Sequence, residues 1–298
     1  MPVHELVYKR MAERPSGKPR HQSWAMSSYG FRLAYRSKMA WFITIVAFIP
    51  AVLFSFILYL SQEAGGGMGL VLARTLTAIK ATDNDGWTNA VAPAVRFLFG
   101  LQAWFVTFLA AFKGAPLISE DVSRHALDLY FSRPLSWFAY GFGKWLTVFR
   151  GLILVQVLPL LLVSVTACAF LPNFLAQAWP LNLLMIVSGI VVAAAYSILA
   201  VGVSAMSRSP RFAVVAWFIL SFFTTLAGTI LSAATDTAEF AYVSFRHNVE
   251  TVAAWTMGLP NAETDGAEDP RLALLALAVY LGVSVWALVR RLRRGILA

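Results

Sequence analysis

Leu181–Met206, LNLLMIVSGIVVAAAYSILAVGVSAM, decides the fold class. It contains no Asp, Glu, Lys or Arg, and it runs directly into Ser207-Arg208-Ser209-Pro210-Arg211. A helix rises about 1.5 Å per residue, so about 20 such residues cross the hydrocarbon core of a bilayer. Five further segments read the same way: Met39–Leu60, Phe97–Ile118, Trp145–Leu171, Phe212–Leu231 and Leu272–Val289. The expected fold is therefore an all-α polytopic membrane protein with six transmembrane helices.

Composition points the same way. Of 298 residues, 59% are hydrophobic and 13% charged, where a soluble domain runs near half apolar and a quarter charged. The single cysteine, Cys168, sits inside an apolar run, so it has no partner for an intrachain disulfide and reads as a small packing residue. The first twenty residues are polar and basic, and no cleaved signal peptide is expected there.

The charges orient the spans. The basic residues flank the spans in ones and twos, so the net charge of +9 reads as a topology signal and not as a nucleic-acid surface. With both termini, the 113–150 connection and the 207–211 loop placed in the cytoplasm, only Arg74, Lys80, Arg96, Arg246 and Arg271 fall outside. Such asymmetry predicts cytoplasmic termini. Lys113 and Arg150 sit near span ends, where their stems can snorkel to the interface. The chain thus reads as one domain, 1–298: a cytoplasmic N-terminus with an interfacial helix (1–38), a six-span bundle (39–289) and a basic tail (290–298). Among the connections, 61–93 is Gly-rich and then polar, 172–180 reads as a short turn, and Phe240–Trp255 reads as an interfacial helix.

The connection after the second span, Ile118–Ser136, concentrates acids, bases, aromatics and a proline. Ser119 is placed to cap a helix whose first turn carries Glu120 and Asp121. Val122, Ala126, Leu129 and Tyr130 recur at helical spacing as one apolar stripe, with Arg124, His125 and Asp128 on other faces. The helix should stop near Ser132, because Pro134 cannot continue it and restrains Arg133. Ser136 then caps a new helix from Trp137. Before the first span, Ser28–Lys38 interleaves Phe31, Ala34 and Tyr35 with Arg32, Arg36 and Lys38. That spacing predicts a surface helix burying its aromatics and holding its arginines at lipid phosphates.

Catalytic signatures are missing: no His-Glu-x-x-His, no Gly-x-Ser-x-Gly, no Walker loop and no Cys pair. The histidines His4, His21, His125 and His247 are far apart in sequence, and no metal site is expected. Gln102, Gln156 and Asn182 read as interhelical hydrogen-bonding residues. Few ionisable residues lie deep in the spans, so energy for any transport should come from a partner.

Ser119-Glu-Asp-x-x-x-x-Ala126-Leu-x-Leu129-Tyr-x-Ser-Arg-Pro134-Leu-Ser, followed by Tyr140-Gly-x-Gly143-Lys144, resembles the connection between the second and third spans of ABC-2 type transporter permeases. The likeness extends to the basic pre-span segment Tyr29–Lys38, the six spans and the cytoplasmic termini. Membership would imply a permease that dimerises with itself or a similar chain in the bacterial inner (plasma) membrane. Cytoplasmic ATP-binding subunits would supply ATP and Mg, with no cofactor in this chain. The resemblance places Ser119, Glu120, Asp121, Val122, Arg124, Ala126, Leu129, Tyr130, Arg133 and Pro134 at the contact with the ATPase. It places Phe31, Arg32, Tyr35 and Arg36 on the interfacial helix. His125 stands where the family often carries Gly, a departure expected to alter the helix locally. Alternative functions are an ATPase-linked scaffold that moves no cargo, or a membrane enzyme using Asp83, Asp85, Asp236 and His247.

Overall fold

A computed structural model describes residues 22–63, 87–131, 135–170, 174–257 and 269–297. Among these residues the protein is all-helical, with no strand. Six helical stretches are long and apolar enough to cross a membrane: Lys38–Tyr59, Phe97–Ser123, Trp137–Phe170, Trp179–Met206, Pro210–Thr235 and Pro270–Arg293. The protein is thus a polytopic membrane protein, with the six spans expected from its apolar runs.

Helix α1 (Gln22–Ala34) precedes the first span, α2 (Lys38–Glu63). The second span is α3 (Trp87–Leu109), continued through a π turn at Ala110–Gly114 into α4 (Pro116–Ser123). After the short α5 (Ala126–Phe131) come the third and fourth spans, α6 (Trp137–Phe170) and α7 (Phe174–Met206). The fifth is α8 (Pro210–Phe218), a π turn at Ile219–Phe223, and α9 (Thr224–Thr235). A 3-10 turn (Ala238–Val243) and α10 (Phe245–Thr256) lead to the last span, α11 (Pro270–Leu297).

Two boundaries move. The third span starts at Trp137, not Trp145, because Ser136 accepts from the Ala139 N–H at 3.1 Å and Lys144 is neutralised by an acid inside the bundle. The 172–180 stretch, expected as a turn, is helical from Phe174. Pro180 lies inside that helix, which spanning helices tolerate.

Helix α7 is the centre of the packing, and small residues set its distances. A Cβ on Gly202 would lie 2.4 Å from the Ser284 Cβ and 2.6 Å from its Cα, so α7 and α11 cross almost backbone to backbone. A Cβ on Gly114 would meet Ala200 at 2.8 Å, which brings the π turn against α7. Lipid offers no hydrophobic drive between helices, so such close packing and interhelical hydrogen bonds hold the bundle. Gln102 donates to the Ala47 carbonyl at 2.8 Å, and Asn182 accepts from the Ser164 hydroxyl at 2.7 Å, both as expected. Gln156 differs: it is fully buried and its amide finds no hydrogen-bond partner among the described residues.

The largest departure is Phe240–Trp255. It does not lie along the interface but re-enters the bundle. The 3-10 turn doubles back beside α9, where Gly228 leaves room for the Phe240 carbonyl 3.1 Å from its would-be Cβ. Ser244 bonds Thr225 at 3.0 Å and caps α10 by accepting from the His247 N–H at 3.1 Å. Phe245, fully buried, stands edge-on to Tyr196 at 5.1 Å and Tyr280 at 5.6 Å. Eight residues later, the Ala253 carbonyl accepts from Ser188 at 3.1 Å. Helix α10 therefore climbs antiparallel to α7. Phe245, Val249, Val252 and Ala253 recur every three or four residues, and this apolar face is buried. Irregular backbone at membrane depth is tolerated when protein encloses it.

Candidate functional site

The elbow formed by α4, α5 and the start of α6 gathers the residues singled out in the sequence. It opens on a helix end inside the bundle. After the π turn, Pro116 restarts the α-helical ladder and leaves N–H groups without intrahelical acceptors. The Ser204 hydroxyl of α7 accepts from Ile118 at 2.8 Å and from Ser119 at 3.0 Å. Ser119, expected to be the cap, lies instead inside α4, fully buried, with its hydroxyl turned back to the Pro116 carbonyl at 3.1 Å. The helix simply begins one turn earlier than its punctuation suggested. Only the tertiary fold supplies the cap.

Asp121 is the hinge pin of the elbow. One of its oxygens accepts from the Tyr140 hydroxyl at 2.6 Å and pairs with the Lys144 ammonium at 2.6 Å. The Lys144 and Asp121 side chains are only 11% and 15% exposed. The Lys144 ammonium also stands over the rings of Tyr130 and Tyr140, 5.9 and 5.6 Å from their centroids, which lie 5.4 Å apart. Burial holds the Tyr130 hydroxyl above its ordinary pKa, helped by the charge of Asp121 and by Tyr29. The two motif pieces, 119–121 and 140–144, thus meet in space. Glu120 and Arg124 make a separate i,i+4 pair at 2.7 Å, 44% and 75% exposed, which adds little stability.

The single helix expected through 120–131 is broken. Arg124 ends α4, and His125 takes a left-handed φ of 53° before α5 begins at Ala126. Val122 and Ala126 therefore do not continue one helical stripe. Val122 and Tyr130 pack instead with Leu127, Tyr140 and Leu292, a small cluster joining the elbow to the end of α11. Leu129 lies in α5, and the expected stop near Ser132 lies outside the described residues. Arg133 and Pro134 lie outside the described residues.

Helix α1 packs along the outside of α6. It starts six residues before the expected Ser28 and stops at Ala34, leaving Tyr35 in a turn. Phe31 and Tyr35 are half-buried, and Arg32 and Arg36 are exposed. Gly143 admits α1, since a Cβ there would lie 3.1 Å from the Ser23 carbonyl. The Arg150 guanidinium is held between Trp24 and Phe31, 4.8 and 4.9 Å from their centroids, and donates to the Ser28 hydroxyl at 3.4 Å. Tyr35 bonds Thr44 at 3.3 Å, and burial raises its pKa above the ordinary value, a shift this bond partly offsets.

Ser204, Leu127, Leu292 and the pairing of Lys144 were not read from the sequence. The one available signal was that Asp121 and Lys144, opposite charges at the inner ends of adjacent apolar runs, needed partners. Of the residues named for a membrane enzyme, Asp83 and Asp85 lie outside the described residues. Asp236 is exposed at the end of α9. Among the described residues no group of three His, Cys, Asp or Glu is arranged to hold a metal.

The chain matches no protein-family profile and no curated protein.

Proposed function

We propose that the chain is the membrane-spanning permease subunit of an ATP-binding-cassette exporter of the ABC-2 type, with the α4–α5 elbow as its contact with a cytoplasmic ATPase. Catalysis belongs to that partner, which holds the ATP and Mg. The observation that carries the proposal is the Asp121–Tyr140–Lys144 clamp. It joins the two sequence pieces that resemble the family and makes the elbow a stiff projection of the second and third spans. A second observation agrees with it. His125 adopts the backbone conformation that favours glycine, at the position where the family often carries Gly.

Charge favours the same orientation. Lys38, Arg124, Arg208, Arg211, Arg290, Arg291 and Arg293 lie at the span ends that share the elbow's face, which the positive-inside rule assigns to the cytoplasm. A permease dimer would cover spans that this chain leaves open: only 17% of the fifth span is buried, against 61% of the fourth.

The test is co-purification of a cytoplasmic ATP-binding subunit with the wild type and with Leu129→Ala, Tyr130→Ala and Arg124→Glu, at matched expression. Loss of the subunit or of its ATP turnover is expected. Unchanged binding and turnover across all three variants would refute the proposal. Cargo-dependent stimulation of ATP turnover in vesicles separates export from a scaffold that moves nothing.

A further inference from the structure

An apolar groove of about 230 Å³ opens between α6, α7 and α11, at the arginine-rich end of the bundle. One wall is an aromatic ladder on α6. Phe138 and Phe142 stack at 5.9 Å, and Phe142 meets Trp145 at 5.3 Å. The other wall is Val285 and Val289 of α11, and Ile198 and Val201 of α7 also line it. The walls face outward: Phe138 is 63% exposed and Val285 46%. At this depth, outward means lipid.

Charge closes one end. Val285, Val289 and Arg293 follow each other every four residues, so the arginine terminates the same helix face that lines the groove. Its guanidinium lies over the ring of Trp137 at the groove's mouth, 5.3 Å from the centroid. Arg290 lies one turn away over Trp286 at 4.9 Å. Among the described residues no carboxylate pairs with Arg290, Arg291 or Arg293. From Ser284 to Arg293 the groove runs roughly 14 Å along the bilayer normal. A pocket for a compact ligand runs to about 300 Å³ or more. This one is smaller and elongated, the shape of part of one hydrocarbon chain.

We propose that the groove is a binding site for one anionic phospholipid, with an acyl chain between the aromatic ladder and the valines and the phosphate on Arg293. The aromatic rings hold the glycerol level, where such side chains favour the interface. The site selects by charge at its mouth.

The experiment is native mass spectrometry of the purified full chain after equilibration with equal phosphatidylglycerol and phosphatidylcholine. The wild type should retain phosphatidylglycerol preferentially. Arg293→Gln should cut that preference about fivefold, the effect of one interfacial charge, and Arg293→Lys should keep it. Val285→Trp, which fills the groove and leaves the charges, should reduce retention of both lipids. Equal retention of the two lipids by the wild type would overturn the proposal, as would full retention by Val285→Trp. So would chain-to-chain cross-linking through Val285→Cys in a Cys168→Ser background, because a second copy would then occupy the groove.

Discussion

Removing Asp121 should be the most damaging single change in the elbow. Its carboxylate serves the Tyr140 hydroxyl and the Lys144 ammonium through one oxygen, with both charged side chains largely buried. In Asp121→Ala the ammonium stays in place without a counter-charge, an arrangement that costs about 3–5 kcal/mol. The lost hydrogen bond to a charged acceptor is worth about 1.5–3 kcal/mol, but it overlaps the first effect. The expected loss is therefore about 4 kcal/mol. Adding Lys144→Met removes the stranded charge and keeps an apolar stem of similar length. The double variant should recover about 2 kcal/mol or more relative to the sum of the single changes. Equilibrium unfolding of the purified protein in mixed micelles measures all four species. Neutralising the exposed pair with Glu120→Gln is the control and should cost less than about 1 kcal/mol. Additive single losses, or an Asp121→Ala variant no weaker than the control, would refute the clamp.

Three further outcomes follow from the geometry. Gly202→Ala puts a methyl 2.4 Å from the Ser284 Cβ, so the helices must separate; a loss of about 1–3 kcal/mol is expected by the same unfolding assay, and Ser284→Gly should not rescue it fully, because the Ser284 Cα is 2.6 Å away. Ser204→Ala strips the acceptor from two buried N–H groups; it should cost about 1–3 kcal/mol and speed hydrogen exchange at Ile118 and Ser119. Tyr35 holds its proton more tightly in the folded protein than its ordinary pKa of 10.0. Its contribution is then complete below pH 10 and lost as pH rises through the raised value, so a thermal-stability profile should bend downward on the alkaline side, and Tyr35→Phe should lessen that bend.

The spans were legible in the sequence because lipid imposes one requirement, unbroken apolar length, and Leu181–Met206 meets it without reference to any other residue. The Ser136 cap was legible because it is local chemistry. Misreadings arose where a partner distant in sequence decides. Ser119 looks like a cap until Ser204 takes the role. His125 looks like a helical residue until the turn before α5 forces a positive φ. Phe240–Trp255 has the pattern of a surface helix, and the same apolar face serves equally well against α7. Asp121 and Lys144 stand in separate sequence motifs, and nothing local says that two helix ends will lie side by side.

Helix α7 touches the elbow near its C-terminal end and the re-entrant helix along its middle, from Tyr196 to Ser188. Ser204 grips the start of α4, and Ser188, sixteen residues earlier on the same helix, grips α10. Those hydroxyls stand about 24 Å apart on a single rod. Gly202 leaves that rod no slack against α11. Moving the elbow alone would break two hydrogen bonds to α7, the helix that also holds α10. The elbow and the re-entrant helix are thus fixed at a set separation by one helix that both of them touch.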